Sequence, residues 1–144
     1  MEIRKLEDFE ISGALGLIWK TFVEFEAPDY EEKGVETFKA CLNDREFLKK
    51  LTFYGALEEG QLVGVISTRS GGNHIAQFFV LKEQHRKGIG RKLFEFILPY
   101  STGERITVNS SPYAVGIYHR LRFVETDREQ TVDGIRFTPM EYIK

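Results

Sequence analysis

The period of the hydrophobic pattern switches from helical to extended near residue 51, and that switch confines the chain to folds that mix helices with a sheet. Before it, Ile11, Leu15, Ile18, Phe22 and Phe25 recur at helical spacing and predict a helix over residues 8–25. Pro28 and Asp29 stop that helix, and Val35, Phe38 and Leu42 predict a second one over 30–42. Asp44 is placed to cap a further turn carrying Phe47, Leu48 and Leu51. Beyond it the pattern is extended. Thr52–Leu57 and Leu62–Thr68 flank the turn Glu58-Glu59-Gly60-Gln61, and Ser70-Gly71-Gly72-Asn73 leads into the apolar run 75–81. These runs predict a three-strand antiparallel meander.

The helical period returns at 88–98, where Ile89, Leu93, Phe96 and Ile97 form one stripe before Pro99. A short strand is predicted at 106–108. Ser111-Pro112 reads as N-cap and first residue of a helix running to about Leu121. A closing hairpin is predicted between 123–126 and 135–142, around Asp133-Gly134, and residues 1–6 read as a short opening strand. The 144 residues suit one domain over 1–144. The 12 Phe, 6 Tyr and 1 Trp supply ample material for a core.

Cys41 is the single cysteine, so no intramolecular disulfide can form and a cytoplasmic location is expected. The acidic N-terminus does not resemble a signal peptide, and the longest apolar stretch, 14–19, is too short to cross a bilayer. No metal and no membrane association are expected. A net charge of −2 argues against a nucleic-acid coat.

The charge is unevenly placed. Residues 82–92 hold Lys82, Arg86, Lys87, Arg91 and Lys92 against Glu83 alone, a local +4 that leaves the rest of the chain at −6. Within this segment a strand runs into Gly88-Ile89-Gly90 at a helix start. The first N–H groups of a helix have no internal partner, and with the macrodipole they form an anion site. A Walker loop is absent. A Rossmann fingerprint fails because Leu93 replaces its third Gly and the strand belongs to a meander.

Residues 85–90, His85-Arg86-Lys87-Gly88-Ile89-Gly90, resemble the pyrophosphate-loop motif [QR]-x-x-G-x-[GA] of the GNAT acetyltransferases. Residues 109–123 resemble that family's later motif, with Asn109, Ala114, Tyr118, Leu121 and Phe123 in matching places. His85 stands where Gln or Arg is usual, and Arg122 where Gly is usual.

The resemblance implies a mixed α/β (α+β) GNAT-like fold, with a mostly antiparallel sheet of six to seven strands flanked by about four helices. It implies acetyl-CoA as cosubstrate, with the pantetheine arm along Phe79, Val80 and Leu81. The pyrophosphate would lie on the backbone of His85, Arg86, Lys87, Gly88, Ile89 and Gly90. Arg91, Lys92 and Lys87 would meet the 3′-phosphate, and Asn109 would contribute to the same site. An amine of a small molecule or peptide would attack the thioester directly, with the Val80 N–H polarising its carbonyl. Tyr118 would be the general acid; by spacing alone, with Ala114 and Leu121, it also reads as core. His74 occupies the position, fourteen before Gly88, where some relatives carry a Glu on the fourth strand, and is the candidate base. Phe22, Glu26 and Tyr30 are the candidate acceptor-pocket residues. A homodimer is a further implication, and a non-catalytic acyl-CoA sensor of the same fold is the alternative.

Overall fold

A computed structural model describes residues 1–144. Strand β1 (Glu2–Lys5) is followed by helices α1 (Ile11–Phe25), α2 (Glu32–Leu42) and α3 (Arg45–Lys49). Strands β2 (Thr52–Glu58), β3 (Gln61–Arg69) and β4 (His74–Val80) form the meander. Helix α4 (Ile89–Ile97) leads to β5 (Arg105–Ser110), and α5 (Val115–Arg120) to β6 (Val124–Glu125), β7 (Gln130–Val132) and β8 (Ile135–Ile143). The strands form one sheet path, β1-β2-β3-β4-β5-β8-β6, with β7 also on β8. Every pairing is antiparallel except β4 with β5, because α4 carries the chain across between them.

Side chains alternate across the central strands, so neighbours feed opposite cores. Phe53 and Val65 pack with α1 and α2 against Leu17, Ile18, Phe22 and Leu42. Tyr54 and Ile66 face α4 and α5 with Leu93, Ile97, Tyr118 and Phe123. Covering both faces explains why β3 is buried over six successive residues rather than at every second one.

The mixed, mostly antiparallel sheet agrees with the sequence reading, with eight strands and five α-helices instead of six to seven and about four. The extra helix is the short α3, read from sequence as a turn, and the extra strand lies near the C-terminus. Asp133 and Gly134 both adopt positive φ, 52° and 81°, as a two-residue hairpin turn requires, but the strand they join to β8 is β7. Residues 124–125 instead pair with Glu141 and Met140, at the far end of β8.

The second correction concerns 111–121. Ser111 accepts the Ala114 N–H through both its hydroxyl (3.2 Å) and its carbonyl (3.1 Å), so residues 111–114 form a turn and α5 begins at Val115. The helix ends with Phe123 N–H on Tyr118 O (2.9 Å) and Arg122 N–H on His119 O (2.9 Å). That is a Schellman motif, and Arg122 supplies its left-handed residue at φ 74°.

The α1–α2 corner is tied to the β7–β8 hairpin. Gly34 and Gly134 meet backbone to backbone, and a Cβ on either would collide with the other. Thr37 Oγ1 donates to Asp133 O (2.6 Å), Arg136 Nη1 to Asp29 O (3.0 Å) and Tyr30 Oη to Arg136 O (3.3 Å). No helix is long and apolar enough to cross a membrane.

Candidate active site

Strands β4 and β5 pair only at His74–Thr107 and Ile75–Val108 and then diverge. Against β3 the register jumps from Thr68–Ile75 to Ser67–Gln77, leaving Ala76 as a bulge. The bulge changes which residues bond which neighbour. Leu81 N–H donates to Val63 O (2.9 Å), so Leu81, Phe79 and Gln77 bond toward β3. Phe78 and Val80 therefore turn their N–H and C=O groups toward the gap that β5 has vacated. A cavity of about 710 Å³ occupies that gap.

One end of the cavity is built from main chain. Arg86 (φ 68°) and Gly88 (φ 78°) are left-handed, and Gly88 is the N-cap of α4. The first backbone bond after this loop is Lys92 N–H to Gly88 O (3.0 Å). The N–H groups of residues 86–91 donate to no backbone acceptor. Six consecutive free donors at a helix start form an anion cradle. Arg86, Arg91 and Arg120 line the cavity beside it, with Arg91 Nη2 donating to Arg120 O (2.9 Å). His85 donates from Nε2 to Val80 O (2.8 Å), which fixes its tautomer, and its ring lies 4.9 Å from that of Phe25.

The other end is built from side chains. Tyr118 is 5% exposed, packed edge-on to Phe78 and Phe123 (centroids 6.1 and 5.2 Å), and lines the cavity. Burial, with the nearby Glu26 charge, raises its pKa and keeps the phenol protonated. Glu26 follows the last residue of α1, and its N–H closes the helix on Phe22 O (2.9 Å). Burial pushes its carboxyl up to about 7; the Ser111 side chain opposes this and Asp29 adds to it. Phe25 and Tyr113 stack at 5.2 Å and close over this end from opposite sides.

Of the residues singled out from sequence, the cavity brings together Glu26, Phe79, Val80, His85, Arg86, Gly88, Ile89, Gly90, Arg91 and Tyr118. Several others lie elsewhere. Phe22 is fully buried under Phe38 (centroids 3.8 Å) as core, and the Tyr30 hydroxyl is spent on Arg136 O. Leu81 packs into the cores, while Lys87, Lys92 and Asn109 are exposed outside the cavity wall. His74 stands at the closed end of the β4–β5 junction, about 20 Å of strand from Val80. Its Nδ1 bonds Thr107 Oγ1 (2.8 Å), and burial lowers its pKa to about 4. The structure does not bring it to the cavity.

Tyr113 and Arg120 were not legible as site residues. Tyr113 reaches the cavity because 111–114 is a turn, whereas the sequence pattern suggests a helix there.

A family model described as an acetyltransferase (GNAT) domain matches residues 26–144. Among solved structures, a GCN5-related N-acetyltransferase from Rhodopseudomonas palustris superposes with a TM-score of 0.85 at 18% identity, covering 99% of this chain and 95% of that one. The PaiA N-acetyltransferase of Thermoplasma acidophilum, in complex with coenzyme A, gives 0.73 at 20% identity, covering 99% and 98%. The ribosomal-protein-S18-alanine N-acetyltransferase of Escherichia coli gives 0.67 at 17% identity, covering 99% and 92%. These likenesses are of fold. No curated protein matches the chain in sequence.

Proposed function

The chain belongs to the GNAT acetyltransferase family, and from that premise we propose that it moves the acetyl group of acetyl-CoA to a primary amine of a small molecule or peptide. The observation that carries this reading is the row of free N–H groups over 86–91, beside the unpaired edge of β4 and in one cavity with Tyr118.

The donor set fits acetyl-CoA. A pyrophosphate needs several convergent N–H groups, and residues 86–91 offer them. The pantetheine amides need an edge strand, and Phe78 and Val80 provide one through β-augmentation. The 3′-phosphate is assigned to the cations on the cavity wall, Arg86, Arg91 and Arg120, in place of Lys87 and Lys92. The Val80 N–H, turned into the gap, is the donor for the oxyanion that forms when the amine attacks the thioester carbonyl. Tyr118 then protonates the departing sulfur, and its raised pKa keeps that proton in place until a thiolate develops.

The test has two readouts. Acetyl-CoA should raise the melting temperature, and free CoA should accumulate with at least one member of a panel of amines, polyamines, aminoglycosides, amino acids and N-terminal peptides. A melting temperature unmoved by millimolar acetyl-CoA would sink the reading. Binding without turnover across the panel would instead favour the acyl-CoA sensor.

A further inference from the structure

An ammonium cannot attack a thioester until it has lost a proton, and His74, the candidate base from sequence, faces Thr107 outside the cavity. Another group stands where the proton must go. Glu26 lines the same cavity as Tyr118 and its charge acts on the Tyr118 phenol. It sits at the C-terminal end of α1, where unpaired carbonyls disfavour a second negative charge. Phe25 and Tyr113, stacked on one another, line the same cavity beside it.

The groups facing Glu26 are all neutral or acidic. Asp29 comes from the turn after α1, Tyr30 from the segment leading to α2, Ser111 and Tyr113 from the turn after β5, and Tyr118 from α5. Of the cavity cations, Arg91 is tied to Arg120 O and Arg120 acts on Tyr113, while the His85 ring packs on Phe25; the side chains acting on Glu26 itself are Ser111 and Asp29. A carboxyl without a cationic partner, in an aromatic-walled recess, costs folding free energy. A cationic guest would relieve that cost.

We propose that Glu26 is the general base of the reaction: it receives the acceptor as an ammonium ion, takes one proton from it, and frees the nitrogen lone pair for attack. This rests on the acetyltransferase reading above. The first proton passes from nitrogen to the Glu26 carboxylate. The nitrogen lone pair forms the C–N bond to the thioester carbon. As the intermediate collapses the C–S bond breaks, and sulfur takes the Tyr118 hydroxyl proton. The nitrogen's second proton returns to the Tyr118 phenolate, and Glu26 releases its proton to solvent. The sum is ammonium plus acetyl-CoA giving amide, CoA thiol and one proton. A carboxyl held near neutrality suits this task, since about half of it is ionised at pH 7 and that form is still basic enough to accept a proton.

The test uses the full chain with whichever amine supports thiol release. Glu26→Gln should lower kcat/KM by about 10²- to 10³-fold at pH 7, while the thermal shift with CoA stays unchanged. The deficit should shrink as pH approaches the amine's own pKa, because solvent then supplies the free amine. The inflection near pH 7 in the wild-type profile should vanish. A deficit of equal size at every pH would mark a structural role and overturn the proposal, as would a Gln variant with wild-type kcat/KM. The second measurement is independent of turnover. The Glu26 carboxyl ¹³C resonance of CoA-loaded protein, assigned by its loss in Glu26→Gln, should titrate near neutrality. A midpoint below pH 5 would overturn the proposal even in a protein that turns over no amine. Absence of CoA binding in the wild type would instead mark failure of the acetyltransferase reading.

Discussion

The two ends of the cavity are made of different materials. The phosphate end is a continuous piece of main chain, residues 86–91, whose free N–H groups would serve with almost any side chains attached. The end we propose to be reactive is an assembly of side chains from the end of α1, α5 and the turn before α5, namely Phe25, Glu26, Tyr113 and Tyr118. A site of main chain is broken by conformational strain. A site of side chains is broken by deleting atoms. The contrast predicts that substitutions at one end change binding and at the other turnover, each with little effect on the second quantity.

The largest effect is expected at Tyr118. Tyr118→Phe removes one oxygen and keeps the packing against Phe78 and Phe123. It should lower kcat by about 10²- to 10³-fold and leave the CoA dissociation constant within about threefold, by calorimetry. A loss of CoA affinity as large as the loss of kcat would show that the two ends are not separable.

Gly88 tests the other end. Its φ of 78° suits glycine, and a Cβ there would meet no protein atom within 4 Å, so the cost of a side chain is conformational. Gly88→Val should raise the CoA dissociation constant by about 10- to 100-fold, since forcing a β-branched residue into this region costs about 1–3 kcal/mol. At saturating acetyl-CoA, kcat should recover to within a few-fold of wild type. A kcat that stayed depressed would place the loop in the chemistry as well as in binding.

The same contrast explains what could be read from the sequence. The phosphate end lies within one segment, so its glycines, its charge and the following helix were visible together, and the fold followed from the change of hydrophobic period. Glu26 was named as a candidate acceptor-pocket residue, but its burial was not legible, because Ser111, Tyr113 and Tyr118, which lie around it, arrive from more than 80 residues away. Phe22 shares a helical stripe with Phe25 but is buried in the core, and Tyr30, beyond the end of α1, turns to the β7–β8 hairpin. The three-residue strand β7 is too short to display alternation, so its pairing with β8 was invisible. His74 was placed by counting back from Gly88, and a count does not register the bulge at Ala76 or the pairing to Thr107.

His74 offers a pH-dependent check on that last point. Its folded pKa of about 4 lies below the ordinary value of 6.5, so the folded state favours the neutral ring. The associated stability is fully present above pH 6.5 and is lost as pH falls toward 4. Its magnitude is about 1–3 kcal/mol, discounted for the partial exposure of the ring. His74→Asn, followed by chemical denaturation, should flatten the stability profile between pH 6.5 and 4. It should leave kcat and its pH dependence unchanged. A variant with the pH limb of kcat removed would return the proton-accepting role to His74.

The smallest expected effect joins the two ends. Arg122 occupies the left-handed position of the Schellman motif that ends α5, and the bond from Phe123 N–H to Tyr118 O passes across it. An L-residue with a Cβ pays about 1–2 kcal/mol there, part of which glycine gives back through its freer unfolded chain. Arg122→Gly should therefore stabilise the protein by about 0.5–1 kcal/mol, measured as a rise in denaturation midpoint at constant m-value. Because the helix end already holds Tyr118 in place through its carbonyl, neither kcat nor CoA affinity should move. A loss of turnover in Arg122→Gly would show that the Arg122 side chain, rather than the backbone conformation it adopts, takes part in positioning Tyr118.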